Sequence, residues 1–297
     1  MARIIVAGGT GLLGSSLVGA LQNDRHTVAV LTRQPTRDNE VRWAPHDEDG
    51  SWTSALKGAH AVINLAGASI AGGRWTMARK AAIHDSRMQA TGALVRAITA
   101  MQQPSPIFIS SSAVGYYGSR GDEPATETTP AGSDFLAHVC RDWEAAANQL
   151  AGTSRVVLLR SGVVLARHGG ALPQMALPFK LFAGGPAGTG RQFMSWIHVH
   201  DWVGMVKWAL ATQDVAGPLN VTAPGPVTNE EFSRTLGRAL SRPSWLRAPS
   251  FALRLVLGEM ADALLLGGQR VLPEVAERRG FVFRYPTLES ALRDIYA

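Results

Sequence analysis

The feature that most constrains this chain is a glycine-rich loop close to its N-terminus. The segment Gly8-Gly9-Thr10-Gly11-Leu12-Leu13-Gly14 follows a short apolar run at residues 3–7 and opens a helical pattern at residues 12–22. Glycine permits a tight turn and a close backbone approach to a pyrophosphate, while the start of a helix supplies free N–H groups. The sequence therefore predicts a strand, a turn and a helix that bind a dinucleotide through Gly8, Thr10, Gly11, Leu12, Leu13 and Gly14.

The rest of the first half repeats this alternation of short apolar runs and longer helical patterns. Strands are predicted at residues 27–31, 41–43, 60–66, 107–111 and 155–160. Helices are predicted at residues 51–57, 75–101 and 134–150. Continuous apolar strands that alternate with helices are typical of a parallel sheet covered on both faces. We therefore predict an α/β fold with a Rossmann-type doubly wound parallel sheet.

The pattern changes after residue 160. Residues 166–195 are rich in Gly and Pro and predict an irregular excursion on the substrate side, roofing the ligand site with Phe182, Phe193 and Trp196 as lining residues. A strand is predicted at 196–200, a helix capped by Asp201 up to residue 211, and a strand at 218–222. Three further helices are predicted at 229–240, 251–266 and 288–296. The chain thus divides into a Rossmann domain, 1–222, and a smaller, mainly helical C-terminal substrate region, 223–297.

Composition excludes several classes of function. The net charge is +6, but the basic residues are spread along the chain, whereas a nucleic-acid-binding surface would cluster them. No uninterrupted apolar run reaches 18 residues, which disfavours a membrane span. A single cysteine, Cys140, excludes internal disulfides and cysteine-based metal clusters. We expect a cytoplasmic protein that acts on a small molecule, with neither a nucleic acid nor a membrane as its partner.

Two short motifs contain residue types that bind metals, but the spacing of neither predicts a metal site. His198 and His200 are separated by one residue in a predicted strand, and we expect their side chains to project to opposite faces, which disfavours a shared ion. The acidic segment 46–50 lacks the spacing of a calcium loop, which predicts a solvated turn. We therefore predict no metal site.

The cofactor preference is inferred from the end of the second strand. A site specific for NAD usually places Asp or Glu there to bind the ribose hydroxyls. Here the strand ends in Leu31-Thr32-Arg33, with Arg37 close by. An arginine pairs with a 2′-phosphate through charge-assisted hydrogen bonds, so Arg33 predicts NADP(H), with NAD(H) the less favoured cofactor.

Further motifs resemble a known superfamily, the extended short-chain dehydrogenases/reductases. Beside the glycine loop, they are Asn64-Leu65-Ala66-Gly67 and Ser110-Ser111-Ser112-Ala113. A longer set of motifs resembles one group within it. This group is atypical, similar to nucleoside-diphosphate-sugar epimerases, and carries a C-terminal domain of unknown function. The motifs are Arg74-Trp75, Ser86-Arg87, Val114-Gly115-Tyr116-Tyr117-Gly118, Arg141-Asp142-Trp143-Glu144, Arg160-Ser161-Gly162, Trp196-Ile197-His198 and Gly268-Gln269-Arg270. The resemblance spans essentially the whole chain.

The resemblance implies positions for the cofactor. It would run beside the ends of the strands, along Leu65, Ala66, Gly67, Ser110, Ser111, Arg160 and Gly162. The long helix would lie beside it, and one of Arg74, Lys80 and Arg87 would approach a phosphate or a ribose, with a solvated helix face as the alternative. We assign Lys80 to the cofactor. By the same analogy, the protein could form a homodimer through the long helices of the core.

The superfamily's usual catalytic pair, Tyr with Lys four residues later, is absent. None of the four tyrosines has Lys at that spacing, and aligning Glu144 with the superfamily's glutamate places Leu136 and Cys140 at the pair's positions. What remains is Ser112, which matches the superfamily's catalytic serine, with Tyr116 or Tyr117 as a substitute proton donor. Arg120 is close enough in sequence to assist Tyr116 electrostatically.

Two functions follow from this partial site. The first is an NADP(H)-dependent oxidoreductase or epimerase-like enzyme that acts on a small molecule. The second is a non-catalytic NADPH-binding sensor or scaffold, in which the three serines line the nicotinamide and the tyrosines serve packing.

Overall fold

The computed structural model describes residues 1–46, 50–101 and 106–297, so part of the predicted acidic turn lies outside the described residues. Its strands are β1 (Arg3–Ala7), β2 (Thr27–Thr32), β3 (Glu40–Arg42), β4 (Ala61–Asn64), β5 (Ile107–Ala113), β6 (Pro124–Ala125), β7 (Val156–Ser161), β8 (Val163–Leu165), β9 (Phe193–Met194), β10 (Trp196–His198), β11 (Gly217–Val221), β12 (Val227–Thr228) and β13 (Arg270–Val271).

The α-helices are α1 (Leu12–Asn23), α2 (Met77–Thr99), α3 (Phe135–Asn148), α4 (Leu172–Lys180), α5 (Val199–Ala211), α6 (Asn229–Ala239), α7 (Ser250–Leu257), α8 (Glu259–Ala261), α9 (Glu274–Arg278) and α10 (Leu288–Tyr296). Short 3₁₀ helices cover Ser51–Leu56 and Val114–Tyr117, and a π-helical turn covers Asp262–Leu266. Among the described residues, no helix is both long and apolar enough to cross a membrane.

Seven strands form one parallel sheet in the order β11-β7-β5-β4-β1-β2-β3. The register aligns the carboxyl ends of the central strands, since Ala7 of β1 lies opposite Leu31 of β2 and Asn64 of β4. This is the doubly wound sheet that the alternating pattern predicts. The ends of β1, β2 and β4 therefore open onto one edge, where ligands bind in such folds.

Successive side chains of each strand point to opposite faces of the sheet and so form two hydrophobic layers, one on each face. On β1, Ile4 and Val6 belong to the layer under α1 and α5, whereas Ile5 and Ala7 belong to the layer under α2 and α3. Each fully buried aliphatic side chain stabilises the fold by about 2 kcal/mol, which is why the strands read as continuous apolar runs.

The C-terminal helices pack on the core instead of extending from it. Phe232 of α6 and Leu292 of α10 share a cluster with Leu165 and Trp196. Met260 of α8 joins a second cluster beside α2 and α3. The C-terminal region thus contacts both the excursion and the long helix of the core.

The excursion at 166–195 contains a helix that the sequence pattern does not predict. Helix α4 carries one proline in its first turn and another, Pro178, inside it. A proline in the first turn costs little because its missing N–H has no helical partner there, but the Gly and Pro content masks the pattern. Trp196, predicted to line the site, is fully buried in the core, whereas Phe182 is exposed and Phe193 is half-buried.

The cap of α5 also differs from the prediction. Strand β10 ends at His198, whose Nδ1 accepts a hydrogen bond from the backbone N–H of His200 and so caps α5. Asp201 lies inside the first turn, where its carboxylate accepts hydrogen bonds from the backbone N–H groups of Arg284 and Tyr285, at 2.8 Å each. It therefore ties the C-terminal region to the core instead of capping the helix.

Candidate cofactor and active site

The glycine loop, residues 8–14, is shaped by the backbone around it. Gly8 has a φ of +77°, and a Cβ on it would stand 2.8 Å from the carbonyl carbon of Leu65. A Cβ on Gly14 would overlap the carbonyl oxygen of Gly8. Glycine at these two positions is required by the turn and by the close passage of the loop after β4.

Gly11 is different, because the protein itself does not require a glycine there. Its φ of −75° is ordinary, and the nearest atom to a Cβ at this position is the carbonyl oxygen of Gly8, at 3.6 Å. The space beside Gly11 is therefore open toward the start of α1. A glycine that no neighbour demands fits a bound group that approaches the backbone closely.

The start of α1 is left free for an acceptor. Gly11 provides no side-chain cap for α1. Helices α4, α7, α8 and α9 also lack a side-chain cap, so α1 is distinguished by the glycine loop in front of it. The backbone N–H groups of Leu12, Leu13 and Gly14 thus start a helix without an intrahelical partner. These donors and the helix dipole make a site for an anion, and they fit a pyrophosphate.

The excursion covers this site. A Cβ on Gly170 would stand 3.0 Å from a Cδ of Leu12, and one on Gly169 would stand 3.5 Å from the other Cδ. Both glycines have positive φ. The predicted roof therefore rests on the first residue of α1, beside Thr10, which is exposed.

Arg33 lies one residue beyond β2 and is exposed. Within residues 1–46, 50–101 and 106–297, no acidic side chain pairs with it. Because β2 is the neighbour of β1, its carboxyl end lies beside the glycine loop. A free guanidinium at this point fits a 2′-phosphate.

The loop after β4 is held by polar contacts from two helices. Asn64 donates to the hydroxyl of Thr91 at 2.9 Å, and its Oδ1 accepts from the backbone N–H of Ala66 at 3.2 Å. Trp143 donates to the same hydroxyl at 2.8 Å. Leu65, Ala66 and Gly67 are thereby fixed at the open edge.

Ser112 belongs to a chain of buried polar side chains that crosses the sheet. The register places it opposite Arg160 of β7, which lies opposite Asn220 of β11. These residues, with Tyr117, Glu127 and Glu144, are here called the buried polar network.

An ion pair is at the centre of the buried polar network. Arg160 binds both carboxylate oxygens of Glu144, at 2.8 Å each, and both residues are at most 5% exposed. The Ser112 hydroxyl donates to the same carboxylate at 2.6 Å. Its proton is thereby engaged, which disfavours the predicted hydrogen bond from Ser112 to a substrate oxygen. Arg160 is committed to Glu144 in the same way.

The two tyrosines differ in what their hydroxyls do. Tyr117 is 1% exposed, donates to Asn220 at 2.6 Å and accepts from Arg160 at 3.0 Å. Burial raises the pKa of Tyr117 to about 12, which makes it a poor proton donor near neutral pH. Tyr116 is half-buried, and its hydroxyl bonds to no described residue. The guanidinium of Arg160 lies 3.5 Å from its ring centroid, whereas Arg120 is paired with Glu123.

Leu136 and Cys140 of α3, which the resemblance aligns with the superfamily's catalytic pair, face the same turn. A Cβ on Gly115 would stand 3.2 Å from the Cβ of Leu136 and 3.9 Å from the sulfur of Cys140. Both side chains therefore pack under the Val114–Tyr117 turn. Burial raises the pKa of Cys140 to about 12, so the thiol is not a nucleophile near neutral pH.

The remaining predicted cofactor residues lie in different surroundings. The amine of Lys80 is 2.6 Å from the carboxylate of Glu259 in the C-terminal region, which engages it away from a cofactor phosphate. Ser110 is fully buried, and Ser111 is half-buried on the other face of β5. A Cβ on Gly162 would stand 2.7 Å from the carbonyl oxygen of Ser195, so this glycine serves backbone packing.

The sequence argument against a metal at His198 and His200 used the wrong geometry. Because β10 ends at His198, the two rings lie 4.9 Å apart, and their nitrogens lie within 4.8 Å of an Asp294 oxygen. Burial lowers the pKa of His198 to about 4, so the ring is neutral, and since Nδ1 accepts from His200 the proton lies on Nε2. Nε2 is 3.3 Å from an Asp294 oxygen and makes no hydrogen bond that meets the geometric criteria within the described residues.

Sequence reasoning missed Glu127, Glu144 and Asn220 as members of the site region. They lie on different elements, and Ser112 and Glu144 are 32 positions apart. The one available signal was Glu144 among apolar neighbours on α3, because a buried carboxylate requires a partner.

The fold, the open glycine loop and the strand ends define a dinucleotide-binding protein of the Rossmann class. The model of the NAD dependent epimerase/dehydratase family matches residues 4–222, and that of a domain of unknown function, DUF1731, matches residues 248–295. The chain belongs to the NAD-dependent epimerase/dehydratase family.

Relatives match over the whole chain. An epimerase family protein of Mycobacterium leprae is 43% identical over 98% of this chain and 94% of its own length. The crystal structure of the human epimerase family protein SDR39U1 with NADPH has a TM-score of 0.92 and 36% identity, covering 99% of both chains. A nucleoside-diphosphate sugar epimerase from Corynebacterium glutamicum has a TM-score of 0.80 and 31% identity, covering 99% of this chain and 58% of that one.

Proposed function

We propose that the chain is an NADP(H)-dependent oxidoreductase or epimerase-like enzyme that acts on a small molecule. The observation that carries the proposal is the open, uncapped start of α1 beside Gly11, with Arg33 unpaired among the described residues at the neighbouring strand end. A similar human protein, SDR39U1, was crystallised with NADPH. The bound nicotinamide would supply hydride transfer, and the chain would orient it and exclude water.

Tyr116 is the side chain best placed to move a proton. Its hydroxyl bonds to no described residue, in contrast to those of Ser112 and Tyr117, and the Arg160 guanidinium lies against its ring. A phenol hydroxyl without a protein partner is able to donate its proton to a substrate oxygen. Ser112 and Tyr117 would hold this arrangement in place.

A second function, a non-catalytic NADPH sensor or scaffold, is favoured by a specific observation. The Ser112, Tyr117 and Arg160 donors of the buried polar network bond to partners within the chain. Leu136 and Cys140, which the resemblance aligns with the usual catalytic pair, pack under the turn after β5. A screen for substrate-dependent loss of NADPH absorbance separates the two functions. Turnover by the wild type would identify an enzyme, and its loss in Tyr116→Phe would support proton transfer by Tyr116. Turnover that survives Tyr116→Phe would refute this role for Tyr116 but not the enzyme function.

The proposal is tested first by titrating the cofactor-free protein with NADPH and NADH and following nicotinamide fluorescence. We expect tighter binding of NADPH. Arg33→Asp should then weaken NADPH by about 100-fold and NADH by only a fewfold, because a charge-assisted pair with the 2′-phosphate is lost and a repulsion is added. Equal losses for both cofactors would refute the role of Arg33, and no binding of either would refute the proposed function.

A further inference from the structure

The C-terminal ends of helices α4 and α6 lie side by side on the surface of the protein. The backbone N–H groups of Trp245 and Leu246, which follow α6, both donate to the carbonyl oxygen of Gly184, which follows α4, at 3.0 Å each. The guanidinium of Arg242 lies 4.7 Å from the ring centroid of Phe182. The turns after the two helices therefore form one continuous piece of surface.

Large apolar side chains cover this surface and face solvent. Leu177, Leu181, Phe182, Trp245 and Leu246 are each between 46% and 69% exposed, and they are here called the apolar patch. Leu177 and Leu181 are one helical turn apart, so their side chains point in the same direction. Large apolar side chains that are exposed together mark an interaction surface.

The backbone of Phe182 is strained. Its φ is +61°, in the left-handed region where a bulky side chain crowds the backbone and glycine is usual at the end of a helix. The turn closes as it would with glycine, because the N–H of Phe182 donates to Phe179 and that of Ala183 to Pro178, at 2.9 Å each. A strained residue whose ring stays largely in solvent is explained by a contact outside the chain.

Cations border the apolar patch. Lys180 lies in the same helical turn as Leu177 and Leu181, and no acidic side chain in the described part of the chain pairs with Lys180, Arg238 or Arg242. Arg238 and Arg242 line a cavity of about 720 Å³ along α6, together with Arg234 and the carboxylate of Glu231. The surface beside the patch thus has an excess of positive charge and suits an anionic partner.

A second copy of the chain fits this surface poorly. Pairing about a two-fold axis places the same surface of both copies together, so Arg238 and Arg242 of each copy would meet those of the other and repel. The surface of a bilayer with anionic phospholipids suits both features. Apolar side chains enter its headgroup boundary, while the long stems of lysine and arginine keep their charges beside the phosphates.

We propose that the apolar patch, with Lys180, Arg238 and Arg242, binds the surface of a bilayer that contains anionic phospholipids, and that Phe182 and Trp245 enter its headgroup boundary. This contact is independent of the proposed function, since it uses neither the glycine loop nor the strand ends. It departs from the expectation drawn from composition, which considers continuous apolar runs. Two segments distant in sequence form the patch, and a contact with the bilayer surface needs no spanning helix.

The test measures co-sedimentation of the full chain with vesicles of phosphatidylcholine, with and without phosphatidylglycerol. We expect the wild type to bind the vesicles that contain phosphatidylglycerol, to bind pure phosphatidylcholine much more weakly, and to dissociate as the salt concentration rises. Phe182→Gly and Trp245→Ser should each weaken binding by about 10-fold, because an inserted ring is lost. Arg242→Gln should weaken it by about fivefold.

The control variant is Val282→Ser. Val282 is 86% exposed and follows Phe281, which packs on Trp208 of α5. It should change vesicle binding by less than about twofold. Thermal unfolding verifies the fold of each variant, and Phe182→Gly should keep its midpoint within about 3 °C of the wild type, since glycine fits the left-handed turn.

Each contrary result overturns the proposal in its own way. A wild type that does not bind the anionic vesicles has no such contact. Binding that survives both Phe182→Gly and Trp245→Ser, or that Val282→Ser weakens equally, does not use the apolar patch. A dimer in vesicle-free solution that Trp245→Ser dissociates, measured by light scattering, would show that a second copy covers the patch. None of these results bears on NADPH binding, which tests the proposed function separately.

Discussion

The two sides of the ligand edge are built in opposite ways. On the side of β1 and β2, the start of α1 is uncapped, the space beside Gly11 is open and Arg33 has no acidic partner in the described residues. On the side of β5, β7 and β11, the polar side chains bond to one another, with the Arg160–Glu144 pair at their centre.

The difference indicates at which part of the edge a ligand would bind. Free donors that remain at a folded edge are completed by a molecule from outside, whereas a self-satisfied network contributes to the stability and the shape of the fold. We therefore interpret the side of β1 and β2 as the binding surface. The side of β5, β7 and β11 mainly stabilises the fold. Within it, Tyr116 is the tyrosine whose hydroxyl bonds to no described group.

The largest effect on stability is expected from breaking the ion pair of the buried polar network. Glu144→Gln removes the carboxylate and leaves the Arg160 charge buried without a counter-charge, which should lower the free energy of unfolding by about 3–5 kcal/mol. Urea denaturation measures it. The double variant Glu144→Gln/Arg160→Met should recover much of this loss, because no unpaired charge remains. A single variant as stable as the wild type would contradict the interpretation of the network as structural.

A second, smaller effect should appear on the cofactor side alone. Gly11→Ala adds a methyl group into open space, so stability should hold, while NADPH affinity should fall by roughly 30-fold or more, about 2 kcal/mol of lost backbone contacts. Gly19→Ala is the matched control on α1, since a Cβ there meets nothing within 4 Å. It should raise stability by about 0.5–1 kcal/mol and leave affinity unchanged. If Gly11→Ala unfolds the protein instead, the space is not reserved for a ligand.

The smallest effect is expected from the hydroxyl of Tyr117. Tyr117→Phe leaves the Asn220 oxygen without its donor and should cost about 1–2 kcal/mol of stability, with NADPH affinity unchanged. The pH dependence gives a second measure. Because the folded-state pKa is raised to about 12 from an ordinary 10, the wild type should lose stability as pH rises from 10 to 12, and Tyr117→Phe should lose less. A variant that binds NADPH poorly would instead place Tyr117 against the cofactor.

The sequence was sufficient where structure is local. The glycine loop, the parallel strands and helix α10 follow from spacing within a few residues, and Leu288–Tyr296 was predicted with its observed bounds. Strand ends were predicted less accurately. Strand β10 ends two residues before its predicted end, and helix α5 is therefore capped by His198 and not by Asp201. Helix α4 was missed since its prolines and the glycines before it resemble a loop.

The candidate site divides in the same way. The open side could be predicted, because a glycine loop and the residue after the second strand are sufficient to define it. The buried polar network could not, since Ser112, Glu144 and Arg160 meet only through the sheet register and the docking of α3. A residue's type also does not reveal whether its hydrogen bonds are already used, and this separates Ser112 and Tyr117 from Tyr116.

The burial of the chain's single cysteine has a practical consequence for dynamics. With its thiol 4% exposed and protonated near neutral pH, Cys140 should react with an aromatic disulfide only when α3 moves away from the turn after β5. The labelling rate of the unmodified protein therefore reports how often that contact opens, without a background from other thiols. Under the proposed function the contact lies next to the end of β5, where the cofactor would bind, so saturating NADPH should slow this rate. One native side chain would then report both opening and ligand occupancy.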